Sequence, residues 1–356
     1  MSVASTIVEQ LQKPTLAFLL GGMVLAALGS RMVIIDPIYK FIVMLLLLKV
    51  GISAGISIRE ADIVSLLVPA AAAAVAGIVI VLAGAGILSR TRGISIPDAY
   101  ATAGLFGAVS ASTLAAAMAE LDYAAVAYEG FIGALYPFMD LAALMTAIIL
   151  GRIAMARSTS VQPNADGTAT LSATGVGAGG RGGFNVSGVD GGLLKTILTD
   201  TLRSPAISAL LLGLTLGILA RPDSVYETFY EPLFRGLLSL LMLIMGMEAW
   251  QRLSELRNVA HTYIAYGIAS PFVHGAVGFG AGLAAHHITG FSAGGVVLMA
   301  VMAASSSDIS GPPTLRGAIP EANPSAYVGT STGLGTPIAI LTIPLWMALA
   351  DAVIGF

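Results

Sequence analysis

Charge and cysteine are what this sequence is short of. Only 10% of its 356 residues are Asp, Glu, Lys or Arg, against about 25% in ordinary soluble domains. With 56% hydrophobic residues and a mean hydropathy of +0.88, that scarcity excludes a soluble globular protein. The absence of cysteine excludes a disulfide framework, a thiol nucleophile and a thiolate metal site. A net charge of −3 excludes the basic surface of a nucleic-acid binder.

Long apolar runs are what the sequence has. A helix needs about 20 mostly apolar residues to cross the hydrocarbon core. Ten stretches qualify, at 15–30, 34–56, 63–88, 98–119, 126–151, 204–220, 233–250, 262–285, 291–310 and 325–353. The first lacks the basic start and small-residue cleavage site of a secretory signal, and nine more follow it, so it is expected to stay as a span. Lys and Arg in short loops orient the chain. With the N-terminus outside, the cytoplasmic side holds Arg31, Arg90, Arg92, Arg152, Arg157, Arg181, Lys195, Arg203, Arg252, Arg257 and Arg316, and the outer side only Lys13, Arg59 and Arg221. Both termini are then expected outside. Residues 158–192, rich in Gly, Ser, Thr and Ala, form the flexible part of a cytoplasmic linker over 152–203.

The two flanking parts, 1–151 and 204–356, repeat one another. Asp36-Pro37-Ile38-Tyr39-Lys40 matches Glu231-Pro232-Leu233-Phe234-Arg235 at a shift of 195 residues, and the same shift carries Gly51 onto Gly246 and Ser110-Ala111-Ser112 onto Ser305-Ser306-Ser307. Five residues later in register, Pro137 falls on Pro337. Five spans per part make the second part enter the membrane from the opposite side, an inverted repeat. The expected fold class is an all-α membrane protein, ten helices in a 5+5 inverted repeat with discontinuous helices.

The expected discontinuities are paired. One lies at Gly104…Gly107…Ser110-Ala111-Ser112-Thr113, the other at Ser305-Ser306-Ser307-Asp308-Ile309-Ser310-Gly311-Pro312-Pro313. Gly133…Tyr136-Pro137…Asp140 and Gly329…Gly335-Thr336-Pro337 mark a second pair. Irregular backbone survives in a membrane only where protein buries it or it lines a cavity. Free N–H groups at a new helix start suit a small oxyanion, and serine hydroxyls add donors and acceptors. Freed carbonyls, hydroxyls and a carboxylate suit a hard cation such as sodium. An alternative is that these hydroxyls bond their own helix backbone and allow close helix packing. Asp308 and then Asp140 are the candidate cation ligands, because intramembrane carboxylates are costly. Asp140 could equally bond a freed backbone group. Lys49 has Ile244 at its repeat position and is expected to snorkel to the outer interface. The Asp36…Lys40 and Glu231…Arg235 pairs read as helix-start caps and ion pairs, and His274 as a helix–helix hydrogen bonder.

These motifs resemble the SbtA-type sodium-dependent bicarbonate transporters. The resemblance rests on the 5+5 arrangement, on Ala304-Ser305-Ser306-Ser307…Gly311-Pro312-Pro313, on Ile319-Pro320-Glu321-Ala322-Asn323-Pro324-Ser325, on the Pro337 segment and on Ile343-Pro344-Leu345. It covers the chain apart from the linker. It implies a plasma-membrane symporter moving bicarbonate inward with sodium, a homotrimer whose core moves against a gate like an elevator, and a cytoplasmic PII-like regulator of the SbtB type. By motif match, Ser110, Ser112, Ser305, Ser306 and Ser307 form the substrate region, with Thr113 beside them. Asp308, Ser310, Thr336 and Asp140 are the sodium candidates, with no cofactor beyond Na+. The family pattern carries an aromatic residue after Ser-x-Ser, so Asp308 is a departure that bears on sodium coordination and on the choice of anion. Another small carboxylate as substrate, an anion channel and an intramembrane hydrolase are the alternatives. The hydrolase lacks a base paired to Ser110 and an Asp after Gly333-Leu334-Gly335.

Overall fold

The computed structural model of the chain describes residues 14–32, 36–59, 63–159, 199, 203, 205–220, 222–256, 261–308 and 311–356, and among these it contains helices and no strand. In chain order the first part holds α1 (Pro14–Ala27), α2 (Asp36–Ile58), α3 (Ile63–Leu88), α4 (Ile96–Gly107), α5 (Ala111–Tyr123) and a 3-10 segment, Gly130–Leu135, that runs directly into α6 (Tyr136–Thr159). The second part holds α7 (Pro205–Leu219), a π-helical turn (Tyr226–Tyr230) leading into α8 (Glu231–Leu256), α9 (His261–Thr289), α10 (Ala293–Ala304) and α11 (Gly311–Ala318). It ends with α12 (Pro324–Thr330), a π-helical segment (Ser331–Gly335), α13 (Thr336–Leu341) and α14 (Ile343–Val353). The fifth span runs past its expected end at 151 to Thr159. Most of the rest of the expected linker lies outside the described residues.

Among the described residues, seven segments are long and apolar enough to cross a membrane: Pro37–Ile56, Ser65–Leu88, Ile96–Tyr123, Gly130–Met155, Asp223–Gln251, His261–Thr289 and Ala326–Val353. Three of the ten expected stretches hold shorter apolar helices, Ala17–Ala27, Ser208–Leu219 and Ala293–Ala304. At about 1.5 Å per residue none of these alone bridges a core of about 30 Å.

The helices sort into two groups by packing. In one, α2 lies on α7, α1 on α8, and α2 on α8; in the other, α3, α4 and α6 pack together, α9 packs on α10, and α9 also meets α3. Glycine decides the first set of contacts. A methyl group at Gly51 would fall on the Leu210 carbonyl oxygen and close on Leu214 N, and one at Gly246 would fall on the Leu19 carbonyl oxygen and close on Met23 N. The two glycines are 195 residues apart, whereas their targets are 191 apart, one helical turn less. The same backbone-to-backbone contact is therefore made twice, each time between one helix of each part.

The groups meet at the irregular segments. The 3-10 segment Gly130–Leu135 packs on α2, and the π-helical Ser331–Gly335 packs on α8. Each immediately precedes a helix with proline at its second residue, Pro137 or Pro337. Proline has no N–H to give to the turn before it, so the ladder cannot continue in plain α geometry there.

Charged side chains depart from two expectations. Lys49 does not snorkel: it is buried, pairs with Glu231 Oε2 at 3.0 Å and lies 4.4 Å from the Phe234 ring centroid. Glu231 is thus shared with α2 instead of serving only its own helix start, and Arg59, just past the end of α2, bridges to Asp223, just before the π-helical turn, at 2.9 Å. The Asp36 side chain lies outside those described.

Each broken pair is clamped by the other part. Glu129 takes hydrogen bonds from Ser292 N (2.6 Å) and Ser292 Oγ (2.8 Å) at the start of α10, and Asp98 in the first turn of α4 takes one from Asn323 N (2.6 Å). Arg152 Nε donates to Ala318 O at 2.9 Å, closing the C-terminal end of α11. Glu129→Ala is expected to lower stability by about 1–3 kcal/mol, because it strips a charged acceptor from a helix start. A drop in thermal midpoint by fluorescence-detected size exclusion checks this, and an unchanged midpoint contradicts the clamp.

Candidate functional site

The serine motifs break their helices by capping. α4 stops at Gly107, and Ala108 turns extended at φ −89°, ψ 162°. Ser110 N-caps α5, its Oγ accepting from Thr113 N at 3.1 Å. In the second part α10 stops at Ala304, and Ser305 is extended at φ −73°, ψ 175°. Ser307 Oγ accepts from Gly311 N at 2.9 Å, where α11 starts with Pro312 and Pro313 in its first turn. Serine is a strong cap, and proline fits a first turn because its missing N–H is not needed there.

Helix ends refine the repeat register. The cap residues Ala108 and Ser305 are 197 apart and the starts of α5 and α11 are 200 apart, so the extra residues fall partly before and partly within the second break. Asp308 sits in that longer break, and the shorter first break has no counterpart to it. The serines matched at a shift of 195 therefore differ in local role: Ser110 starts a helix, while Ser305 ends one.

The two breaks cross. Ser110 N donates to Ser305 Oγ at 3.0 Å, and Ser307 N donates to Leu105 O at 2.8 Å. Ser110, Ser112, Thr113, Ser305, Ser306 and Ser307 are all buried, and the broken Ile96–Tyr123 segment is wholly buried in its apolar window. Irregular backbone is thus enclosed by protein.

Two hydroxyl clusters flank the crossing. In the first, Asp308 Oδ2 accepts from Ser112 Oγ at 2.6 Å and Ser110 Oγ at 3.2 Å, the two serine hydroxyls lie 2.8 Å apart, and Thr113 Oγ1 donates to Ser110 Oγ at 3.0 Å. Asp308 Oδ1 is buried and has no hydrogen-bond partner among the described residues. In the second, Ser306 Oγ lies 3.1 Å from Thr336 Oγ1 and accepts from Ser331 Oγ at 2.8 Å. Of the predicted residues, Ser110, Ser112, Thr113 and Asp308 meet in one cluster and Ser306 and Thr336 in the other, while Ser305 and Ser307 make the crossing itself. Asp140 is fully buried, and its Oδ1 accepts from Val109 N at 3.1 Å. It holds the amide that the first break freed. Ser310 lies outside the described residues.

Sequence reasoning missed Ser331 and Tyr39. Ser331 stands in the Gly329…Gly335 run, where its signal was a hydroxyl four residues before Gly335. Tyr39 OH reaches Asp308 Oδ2 at 3.5 Å from α2, and nothing local in the sequence pointed there. His274 is buried edge-on to Phe106 and Tyr266, with ring centroids 6.1 and 5.9 Å away, and its Nδ1 has no hydrogen-bond partner among the described residues. It packs through its ring instead of bonding to a helix through that nitrogen.

Across residues 14–351 the chain matches the family model of the Na+-dependent bicarbonate transporter superfamily. The protein belongs to that superfamily. No curated protein matches the chain. In this superfamily member the match spans both breaks, both hydroxyl clusters and the four helices that pack through Gly51 and Gly246. The apolar helices fit a membrane transporter, and the superfamily's Na+ dependence supports sodium as the coupling ion.

Proposed function

We propose that the protein is a sodium-coupled symporter that imports bicarbonate across the plasma (inner) membrane. The observation that carries this reading is the Asp308 carboxylate, held by hydroxyls on one oxygen and, among the described residues, without a side-chain hydrogen-bond donor on the other, beside crossed helix breaks. A buried carboxylate oxygen without a donor is costly in a membrane, and a small hard cation relieves the cost. Asp308, Ser110 and Ser112 hold sodium, and Thr336 with Ser306 and Ser331 supply further oxygens. Bicarbonate lies against the start of α5, where helix polarity and the Ser112 and Thr113 hydroxyls favour an oxyanion, with Ser305, Ser306 and Ser307 closing the far side. Asp140 keeps the first break open by holding Val109. Cation and anion share one site, and that sharing is the basis of coupling.

The architecture we infer is ten spans in a 5+5 inverted repeat, 1–151 and 204–356, joined by a cytoplasmic linker at 152–203 with both termini outside. The duplicated glycine contacts and the reciprocal clamps at Ser292 and Asp98 support the repeat. The loop Lys/Arg asymmetry supports the orientation. The group α1, α2, α7 and α8 acts as a gate along which the remaining helices slide as an elevator-type core. An apolar cavity of about 390 Å³ between the groups, with Gly51, Ala54 and Leu210 on one wall and Ala134, Pro137 and Phe138 on the other, fits such a loosely filled boundary. A homotrimer and a PII-like regulator on the linker follow from the resemblance.

Radiolabelled bicarbonate uptake into proteoliposomes, with and without a sodium gradient, tests the reading. Uptake is expected to fall to background without sodium. Uptake that persists without it defeats the coupling. Competition by formate or acetate stronger than by unlabelled bicarbonate reassigns the substrate to another small carboxylate.

A further inference from the structure

Tyr39 stands outside the hydroxyl clusters yet touches their carboxylate. It lies in the first turn of α2, in the helix group built on Gly51 and Gly246, whereas Asp308 lies in the break between α10 and α11 of the other group. The Tyr39 OH to Asp308 Oδ2 contact of 3.5 Å is a side-chain hydrogen bond between the two groups that ends on the proposed cation ligand. It is longer than the bonds that oxygen receives from Ser112, at 2.6 Å, and Ser110, at 3.2 Å, and so the weakest of these side-chain bonds. Glu248 of α8 is a second carboxylate in electrostatic range of the Tyr39 hydroxyl, and the Tyr136 hydroxyl, at the start of α6, is also in range.

We infer that Tyr39 is a positioning residue that latches the two helix groups together through Asp308 until sodium binds. The inference rests on the symporter reading above. A cation on Asp308 draws both carboxylate oxygens and the serine hydroxyls around itself. The long bond from Tyr39 is the first to be lost, because a hydroxyl proton pointing at the carboxylate competes directly with the cation. With sodium bound, the group carrying the breaks is released from α2 and can move. Without it, the bond opposes movement, and an empty or anion-only carrier stays where it is.

The duplicated sequence makes this latch one-sided. The residue 195 positions after Tyr39 is Phe234, which has no hydroxyl, and the first break is too short to contain an equivalent of Asp308. When the groups exchange their relations in the opposite state, no matching bond can form. The hydroxyl therefore stabilises only the state described here.

Tyr39→Phe keeps the ring and removes the hydroxyl. In proteoliposomes preloaded with bicarbonate, sodium-free exchange of labelled bicarbonate is expected to rise about tenfold over wild type, the scale of one hydrogen bond to a charged group. Sodium-driven uptake is expected to stay within about threefold, since no proposed ligand is removed. Sodium-free exchange equal to wild type in a variant that still takes up bicarbonate with sodium overturns the latch. So does a variant that inserts but transports under neither condition, because the hydroxyl is then needed for transport itself. Tyr39→Leu, which also lacks the hydroxyl, gives the same readout should the phenylalanine variant fail to insert. If wild-type protein shows no sodium dependence, the symporter reading fails; if wild type is sodium-driven and both variants stay as strict, the latch alone fails.

Discussion

Asp308→Asn is expected to cut sodium-driven bicarbonate uptake by at least about 100-fold while leaving membrane insertion intact. The change preserves shape and can keep the contacts to Ser110 and Ser112, so the broken helices stay capped. What it removes is the negative charge that balances the cation. One charge-assisted interaction in a water-poor site is worth about 3 kcal/mol, which corresponds to about 100-fold. Uptake is measured in proteoliposomes against a sodium titration. A variant that keeps more than about a tenth of wild-type flux at an unchanged sodium half-saturation removes Asp308 from the cation site. Loss of insertion instead assigns it a folding role. Ser112→Ala should fall between wild type and Asp308→Asn, since it takes away one hydroxyl and leaves the charge.

The second large effect falls on assembly. Gly246→Ala places a methyl group on the Leu19 carbonyl oxygen, and Gly51→Ala places one on the Leu210 carbonyl oxygen. Backbone cannot rotate away as a side chain does, so α1 and α8, or α2 and α7, must separate. Such overpacking costs about 1–3 kcal/mol, and close backbone approach is what holds helices together in lipid. Each variant is expected to show a lower folded yield and a thermal midpoint several degrees lower. Gly236→Ala, on the same helix as Gly246, meets nothing within 4 Å and should gain up to about 1 kcal/mol from helix propensity. If Gly246→Ala and Gly236→Ala move the midpoint in the same direction, the close-contact argument is wrong.

The legible parts of the site were those with local causes. Ser110 and Ser307 lie in runs legible as helix breaks, because serines among small residues, or a few residues ahead of Gly-Pro-Pro, do not make a plain lipid-facing helix. Pro137 and Pro337 announce irregular turns because each removes a donor. The paired glycines were visible as a repeat, though not their targets on α7 and α1, which run one turn out of register. The correspondence of Ser110-Ala111-Ser112 with Ser305-Ser306-Ser307 was readable as composition. It was misleading as geometry, since the extra residues of the second break shift what each serine does. Asp140 carried two readings from sequence, and its Oδ1 accepts the Val109 amide at 3.1 Å, a contact that the backbone reading anticipates. Lys49 was misjudged because its partner, Glu231, is 182 positions away in the other part of the chain.

Hydropathy and scarce charge by themselves determined that this chain lives in a membrane, and its proline, glycine and serine patterns determined where its helices stop. These are properties of short segments, governed by solvation and by the nearest few backbone groups. Only the tertiary structure decided that Ser112 and Tyr39 meet Asp308 across 196 and 269 residues. It also decided that the hydroxyls divide into two clusters and that one carboxylate oxygen has no hydrogen-bond partner among the described residues. Those outcomes depend on how two broken helices cross in space, and a crossing is set by packing between distant segments, which no local pattern encodes.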